Sequence, residues 1–257
     1  MRRVLLAITA HLMCIISFAQ DVVYTKENNF GFGEGYFTKD ALEFLIPAIN
    51  IPLSEPTLQD SIFYIEGLRI RQGDSLRFAR AAQDAVWSIE VLTSFSDAVG
   101  IELSAENTPE LWYLVSRAAQ DTDNLIVAIK SMHYRQRPYV RWKESDDGVA
   151  DRKRLAETSS SPSGHSGLAA TIVSLLLELY PAKAAEIMQR GDEFIDGRWI
   201  LGFHYQSDCE LGRQIGGYVV SLLHSDPDFT LQLYRARREA FMLCRFRHIK
   251  YSISNNQ

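Results

Sequence analysis

Cysteine is scarce. The 257 residues contain three, at positions 14, 209 and 244, and none falls in a CxxC pair. That excludes a small disulfide-stapled scaffold and leaves no cysteine knuckle for structural zinc. Cys209 and Cys244 read most plainly as two free, buried thiols, with a disulfide between them left open by an oxidising compartment. Excess positive charge is also missing. There are 27 Lys and Arg against 32 Asp and Glu, a formal charge of −5. Nucleic-acid binding therefore has no general electrostatic support, although a local cationic pocket remains compatible with this charge. No GxxxxGK[ST] loop is present for a nucleotide. Strand-like alternation is scarce and no internal repeat is visible. Beyond the N-terminus the longest apolar stretch, 167–177, is too short to span a bilayer and is followed by Glu178.

What is present begins with a leader. Arg2 and Arg3 precede an apolar stretch from Val4 to Phe18, and Ser17 and Ala19 supply small residues at the −3 and −1 positions of a cleavage site. Residues 1–20 read as a secretory signal peptide, which places the mature chain in the periplasm or outside the cell and predicts no stable membrane insertion after cleavage. Removing the leader takes away two arginines and leaves a charge of −7. An uncleaved anchor is the alternative. Residues 21–58, rich in glycine, asparagine and proline turns, are expected to wrap the body, with a short helix at 40–46. Residues 59–250 are expected to form one helical domain and 251–257 a flexible tail.

Helical spacing dominates that domain, and the fold class expected is an all-α, single-domain bundle. Helices are expected over 75–96, from Pro109 towards Arg135, from Pro162 (capped by Ser161) to about 180, over 182–189 closed by Gly191, over 197–223, and over 229–246. Residues 144–161 read as a polar loop.

Three clusters share one chemical logic. Lys130 and Arg137, the latter followed by Pro138, are two helical turns apart, so both cations fit one helix face. A solvated face accounts equally for that pair. In Pro162-Ser163-Gly164-His165, a helix start would offer unpaired amides to an oxyanion, with His165 placed to donate a proton. An ordinary capped helix with a surface histidine fits the same residues. In the third cluster Arg198 precedes His204 and Asp208, which are four apart and would face each other along one helix side. A surface His–Asp pair is again the plain alternative. Together the clusters read as a phosphate pocket with fixed cations, an imidazole to attack and an imidazole to protonate. No acidic cluster suited to Mg²⁺ stands beside them.

In order and spacing they resemble the signature of the type 2 phosphatidic acid phosphatase superfamily, KxxxxxxRP, then PSGH, then SRxxxxxHxxxD. The match is Lys130 with Arg137 and Pro138, then Pro162 to His165, then Arg198, His204 and Asp208. The one departure is Gly197, where serine is usual. Within the superfamily, His133-Tyr134-Arg135-Gln136-Arg137-Pro138-Tyr139 and Gly202 to Asp208 resemble the secreted bacterial class A non-specific acid phosphatases.

The resemblance implies an all-α fold of the phosphatidic acid phosphatase and vanadium haloperoxidase kind. It implies broad-specificity, metal-independent hydrolysis of small-molecule phosphomonoesters, with no cofactor, in a chain able to form homo-oligomers. His204 would be the nucleophile, Asp208 would orient and polarise it, and His165 would be general acid and then base. Lys130, Arg137 and Arg198 would bind phosphoryl oxygens, and Ser163 and Gly164 would add backbone or hydroxyl donors. The same signature leaves open a soluble lipid-phosphate or diphosphate phosphatase and a vanadate-dependent haloperoxidase. Residue types alone leave open a metallohydrolase using His165, His204 and Asp208.

Overall fold

The computed structural model describes residues 31–144 and 152–254, with side chains as far as Arg245. The expected signal peptide, the first part of the wrapping segment, residues 145–151 of the polar loop and residues 255–257 lie outside the described residues. Among the described residues eleven helices follow one another: α1 (Lys39–Glu43), α2 (Leu58–Gly73), α3 (Ser75–Gln83), α4 (Ser96–Val99), α5 (Pro109–Met132), α6 (Pro138–Arg141), α7 (Arg152–Leu155), α8 (Gly164–Leu179), α9 (Ala184–Ile200), α10 (Gln206–Leu223) and α11 (Pro227–Ser254). Three short 3₁₀ turns sit between them, at Ile46–Ala48, Ile89–Phe95 and Pro181–Lys183. Among the described residues there is no strand, so the all-α expectation holds.

Helix α8 is the centre. Leu168, Ala169, Ile172, Leu175 and Leu176 are fully buried or nearly so, and α5, α9 and α10 pack around it. A helix apolar on most sides is what a central position requires. Each buried leucine contributes roughly 1.5–3 kcal/mol relative to exposure. Helix α10 approaches α8 backbone to backbone. A Cβ on Gly212 would lie 2.3 Å from the Ser163 carbonyl oxygen, and one on Gly216 would lie 2.5 Å from that of Gly167. Glycine at both positions is therefore what lets the two helices close on each other.

Helix starts follow local chemistry. Thr57 Oγ1 accepts from the Asp60 amide at 3.1 Å while Asp60 Oδ2 accepts from the Thr57 amide at 3.0 Å, a reciprocal capping box that opens α2. Pro109 stands at the first position of α5, where its missing N–H costs nothing.

Several helix ends differ from the sequence reading. Helix α8 starts at Gly164 with Ser163 as its cap, not at Pro162 with Ser161. Residues 159–163 are held off the helix by distant partners: Ser160 N donates to Arg135 O at 2.8 Å, and Ser163 N to Asp208 O at 3.0 Å. Gly191 does not end a helix. It lies inside α9, where a Cβ would stand 2.5 Å from Val173 Cγ2, so it serves packing. The break comes instead at 201–205, where Gly202 adopts φ +71°, so the expected helix over 197–223 is two helices. Helix α5 stops at Met132, and α3 stops at Gln83. Helix α11 continues to Ser254, past the start expected for the tail.

Cys209 and Cys244 are both free: Cys209 is buried in α10, whereas Cys244 is exposed on α11. The open disulfide is not formed, and the expectation of buried thiols holds for Cys209 alone. Among the described residues, no helix is long and apolar enough to cross a membrane.

Candidate active site

Lys130 and Arg137 reach the site from two elements, not from one helix face. Lys130 is in the last turn of α5, and Arg137 immediately precedes α6. Between them residues 133–137 leave the helix, because Ser159 Oγ donates to the His133 carbonyl at 2.9 Å and accepts from the Arg135 amide at 3.2 Å. The two cations still converge. The Ser159 carbonyl accepts from Lys130 Nζ at 3.0 Å and from Arg137 Nη2 at 3.1 Å. Burial, then the neighbouring Arg137, push the Lys130 ammonium down to about 7. Arg137 is buried, and its other N–H groups donate to the carbonyls of Leu155, Thr158 and Phe203 and to the Thr158 hydroxyl. Burial lowers its pKa as well.

Arg198, in the last turn of α9, is 2% exposed, yet its Nε and Nη1 have no hydrogen-bond partner. Burial pushes its guanidinium down to about 10. A buried cation with unmade hydrogen bonds is costly unless something polar arrives to complete them. Its neighbour Gly197, where the resembling signature has serine, lies against α3. A Cβ there would stand 3.3 Å from Ala81 Cα. Glycine thus matches a tight α9–α3 contact and leaves Arg198 in place.

His204 is in the loop between α9 and α10, and its partner is not Asp208. Its Nδ1 lies 2.6 Å from the Ser160 carbonyl oxygen. A carbonyl only accepts, so Nδ1 carries the proton and Nε2 carries the lone pair. Nε2 lies 3.4 Å from Arg137 Nη1. Burial, then Arg137, Lys130 and Arg198, hold the ring far below the usual histidine range, so it is neutral. The expected facing of His204 and Asp208 along one helix side is corrected: His204 precedes the helix that Asp208 begins. Asp208, in the first turn of α10, accepts from Ser160 Oγ and from the Tyr205 amide through Oδ2, and from Arg135 through Oδ1.

His165 sits in the first turn of α8. Its Nε2 lies 3.2 Å from the Ala85 carbonyl, which leaves Nδ1 as the atom able to exchange a proton. The ring packs against Trp87, with centroids 4.9 Å apart. Burial first, then Arg198 and Lys130, depress its pKa well below the usual value. An anion lying between those two cations opposes that depression. Gly164 and His165 occupy the first helical positions, whose amides have no intrahelical acceptor. Ser163 differs from the expectation. Its amide already donates to Asp208 O, and its hydroxyl oxygen accepts from the Ser166 amide and hydroxyl. Only its own hydroxyl proton is left to donate.

Sequence reasoning assigned no role to the groups that hold this arrangement. Arg135 is buried between Asp60, at 2.9 Å, and Asp208, and also bonds Ser207 Oγ at 2.8 Å. Arg190 grips Asp84 through two bonds of 2.9 and 2.6 Å, which fixes the 84–87 segment that carries Ala85 and Trp87. Arg71 and Arg152, bridged by Glu144, donate to the carbonyls of Ile200 and Leu201 and hold the turn before His204. Arg135 lies two residues before Arg137, so proximity to the motif was its only signal. Asp60, Asp84 and Glu144 carry no local signal. Among the described residues, no three His, Cys, Asp or Glu side chains come together as a metal-binding group.

Comparison with known proteins identifies the family. Residues 110–230 match the PAP2 superfamily, a span that contains every site residue named above from Lys130 to Asp208. A non-specific acid phosphatase of Providencia stuartii is 30% identical over 184 residues, covering 71% of this chain and 73% of that protein. The non-specific acid phosphatase of Salmonella typhimurium is 32% identical, covering 70% and 72% respectively. An acid phosphatase of Zymomonas mobilis is 33% identical over 208 residues, covering 79% and 76%. The chain is a phosphatase enzyme, and it belongs to the non-specific acid phosphatases of the PAP2 superfamily.

Proposed function

We propose that the protein hydrolyses a broad range of phosphomonoesters through a phosphohistidine on His204, without a metal ion, in the periplasm or outside the cell. The observation that carries this reading is the buried, partnerless edge of Arg198 beside a neutral His204 whose lone pair is on Nε2, within reach of Arg137 Nη1. Lys130, Arg137 and Arg198 bind the phosphoryl oxygens, joined by the Gly164 and His165 amides and the Ser163 hydroxyl. The bound dianion raises the His165 pKa, so His165 arrives protonated. His204 Nε2 attacks phosphorus, the P–O bond to the alcohol breaks, and His165 gives its Nδ1 proton to the leaving oxygen. Water then attacks phosphorus and loses its proton to His165. The P–N bond breaks, and inorganic phosphate leaves with His204 neutral again.

The test is turnover of p-nitrophenyl phosphate by the purified mature protein with EDTA present throughout. Rapid quenching with ³²P-labelled substrate follows in parallel. Turnover with a base-stable, acid-labile label is expected in the wild type. The His204→Ala variant should take up no label and lose at least about a thousandfold in rate. Loss of activity to the chelator would instead point to a metallohydrolase. Activity confined to lipid phosphates would select the narrower substrate class.

A further inference from the structure

No hydrogen bond joins Asp208 to His204, and Ser160 bonds to both. Three of its groups are engaged at once. Its amide donates to Arg135 O at 2.8 Å, its hydroxyl donates to Asp208 Oδ2 at 2.5 Å, and its carbonyl accepts from His204 Nδ1 at 2.6 Å. Ser160 and Asp208 are both fully buried, and Arg135 is 2% exposed. Asp208 is held in turn by Arg135, which Asp60 grips from α2.

We propose that Ser160 is a positioning residue for the nucleophile: its hydroxyl anchors it to Asp208 so that its carbonyl keeps His204 in the Nδ1–H form, with the attacking lone pair on Nε2. Asp208 then acts through Ser160 rather than on the imidazole directly. The inference rests on the phosphohistidine reading above and deepens it.

The chemistry fits. A histidine that attacks through Nε2 needs its proton on Nδ1, and a neutral imidazole exchanges the two forms freely unless one nitrogen is bonded. As the P–N bond forms, positive charge grows on the ring. The Ser160 carbonyl meets it at once, and the Asp208 carboxylate polarises that peptide through the serine hydroxyl. Hydrogen bonds polarise one another along such chains, the more so in a dry interior. Asp208 Oδ2 also accepts from the Tyr205 amide at 2.9 Å, so one carboxylate oxygen sets both the serine and the residue next to the nucleophile.

Two measurements on Ser160→Ala, Asp208→Asn and the double variant decide it. The first is the rate of phosphoenzyme formation. If Asp208 works through Ser160, each single change slows it about 10- to 100-fold, the size expected for one hydrogen bond to a charged group. The double change is then little worse than either. The second is ¹⁵N NMR of histidine-labelled protein without substrate. The wild type should show one Nδ1–H imidazole that is absent in His204→Ala, and both single variants should turn it into a mixture of forms. Inorganic phosphate should bind Ser160→Ala within about twofold of wild type, because the cations are untouched. Ser160→Cys, similar in size but a weaker donor, should fall between serine and alanine, and it replaces the alanine variant if that fails to fold.

A wild-type rate in Ser160→Ala beside a slow Asp208→Asn would overturn the proposal, as would additive losses or an Nε2–H form of His204 in the wild type. A wild type inactive on phosphomonoesters would defeat the functional reading, while the NMR measurement would still decide the role of Ser160.

Discussion

Single residues in this pocket are tuned by what surrounds them. Burial, then the neighbouring Arg137, push the Lys130 ammonium down to about 7. It is charged below that value and neutral above it. Affinity for inorganic phosphate should therefore fall by up to about tenfold between pH 6 and pH 8, as competitive inhibition of p-nitrophenyl phosphate turnover would read. Lys130→Met should bind phosphate more weakly at pH 6 and show a flatter profile over the same range. His165 carries a different expectation. His165→Ala should cost about a hundredfold or more with alkyl phosphates, whose leaving groups need a proton, and much less with p-nitrophenyl phosphate. Paired phosphorylation rates for the two substrate types check this, and equal losses would count against the acid role. At this scale the sequence was already informative. Residue types that bind and split phosphate stood in a recognisable order, and the structure gathers Lys130, Arg137, Arg198, His165 and His204 closely enough for their charges to shift one another.

Elements place those residues through contacts that spacing cannot reveal. The site lies where the end of α5, the start of α8 and the α9–α10 turn meet, and α8 and α10 close on each other at Gly212 and Gly216. Gly212→Ala would drive a methyl group to 2.3 Å from the Ser163 carbonyl, just below the α8 cap. We expect a loss of about 2 kcal/mol or more in unfolding free energy, measured by denaturant titration, together with a lower turnover number because Gly164 and His165 move with the cap. Gly217→Ala, where a Cβ meets nothing within 4 Å, is the control and should be neutral or slightly stabilising. Helix existence was legible from apolar spacing and from Pro109, but helix ends were not. Gly191 and Gly202 show why. One glycine relieves a clash with Val173 inside a helix, and the other makes a left-handed turn that ends one. In the sequence the two are the same letter.

Across the whole molecule, buried and half-buried carboxyls tie distant segments together and make stability depend on pH. Asp121, fully buried on α5, accepts from the amides of Tyr36 and Phe37 at 2.8 and 3.2 Å, and burial pushes its carboxyl up to about 6. Glu239 on α11 accepts from the amides of Glu110 and Leu111, and burial pushes it up to about 7. A carboxyl whose folded pKa is raised contributes stability that is full below its unfolded value, near 4, and lost as pH rises through the folded value. Asp121 alone should therefore make the fold weaker at pH 7 than at pH 4 by about 2 kcal/mol. In Asp121→Asn that part of the slope should vanish, as denaturant titrations of both proteins at pH 4, 5, 6 and 7 would show. Equal slopes in the two proteins would refute the assignment.

The sequence by itself determined the class of fold, the residue types of the pocket and their order along the chain. Those depend on local periodicity and on side-chain chemistry, which travel with the letters. Only the tertiary structure decided which groups are partners. The residue that bonds His204 is 44 positions away, and Arg135 reaches Asp208 across 73 positions and Asp60 across 75. It therefore assigned the imidazole to the Ser160 carbonyl rather than to Asp208, moved the helix cap from Ser161 to Ser163, and left Arg198 buried with donors unmade. The first two outcomes follow from the cost of leaving a buried polar group unpaired, which depends on which segments packing brings together, and Arg198 is the site where that cost is carried.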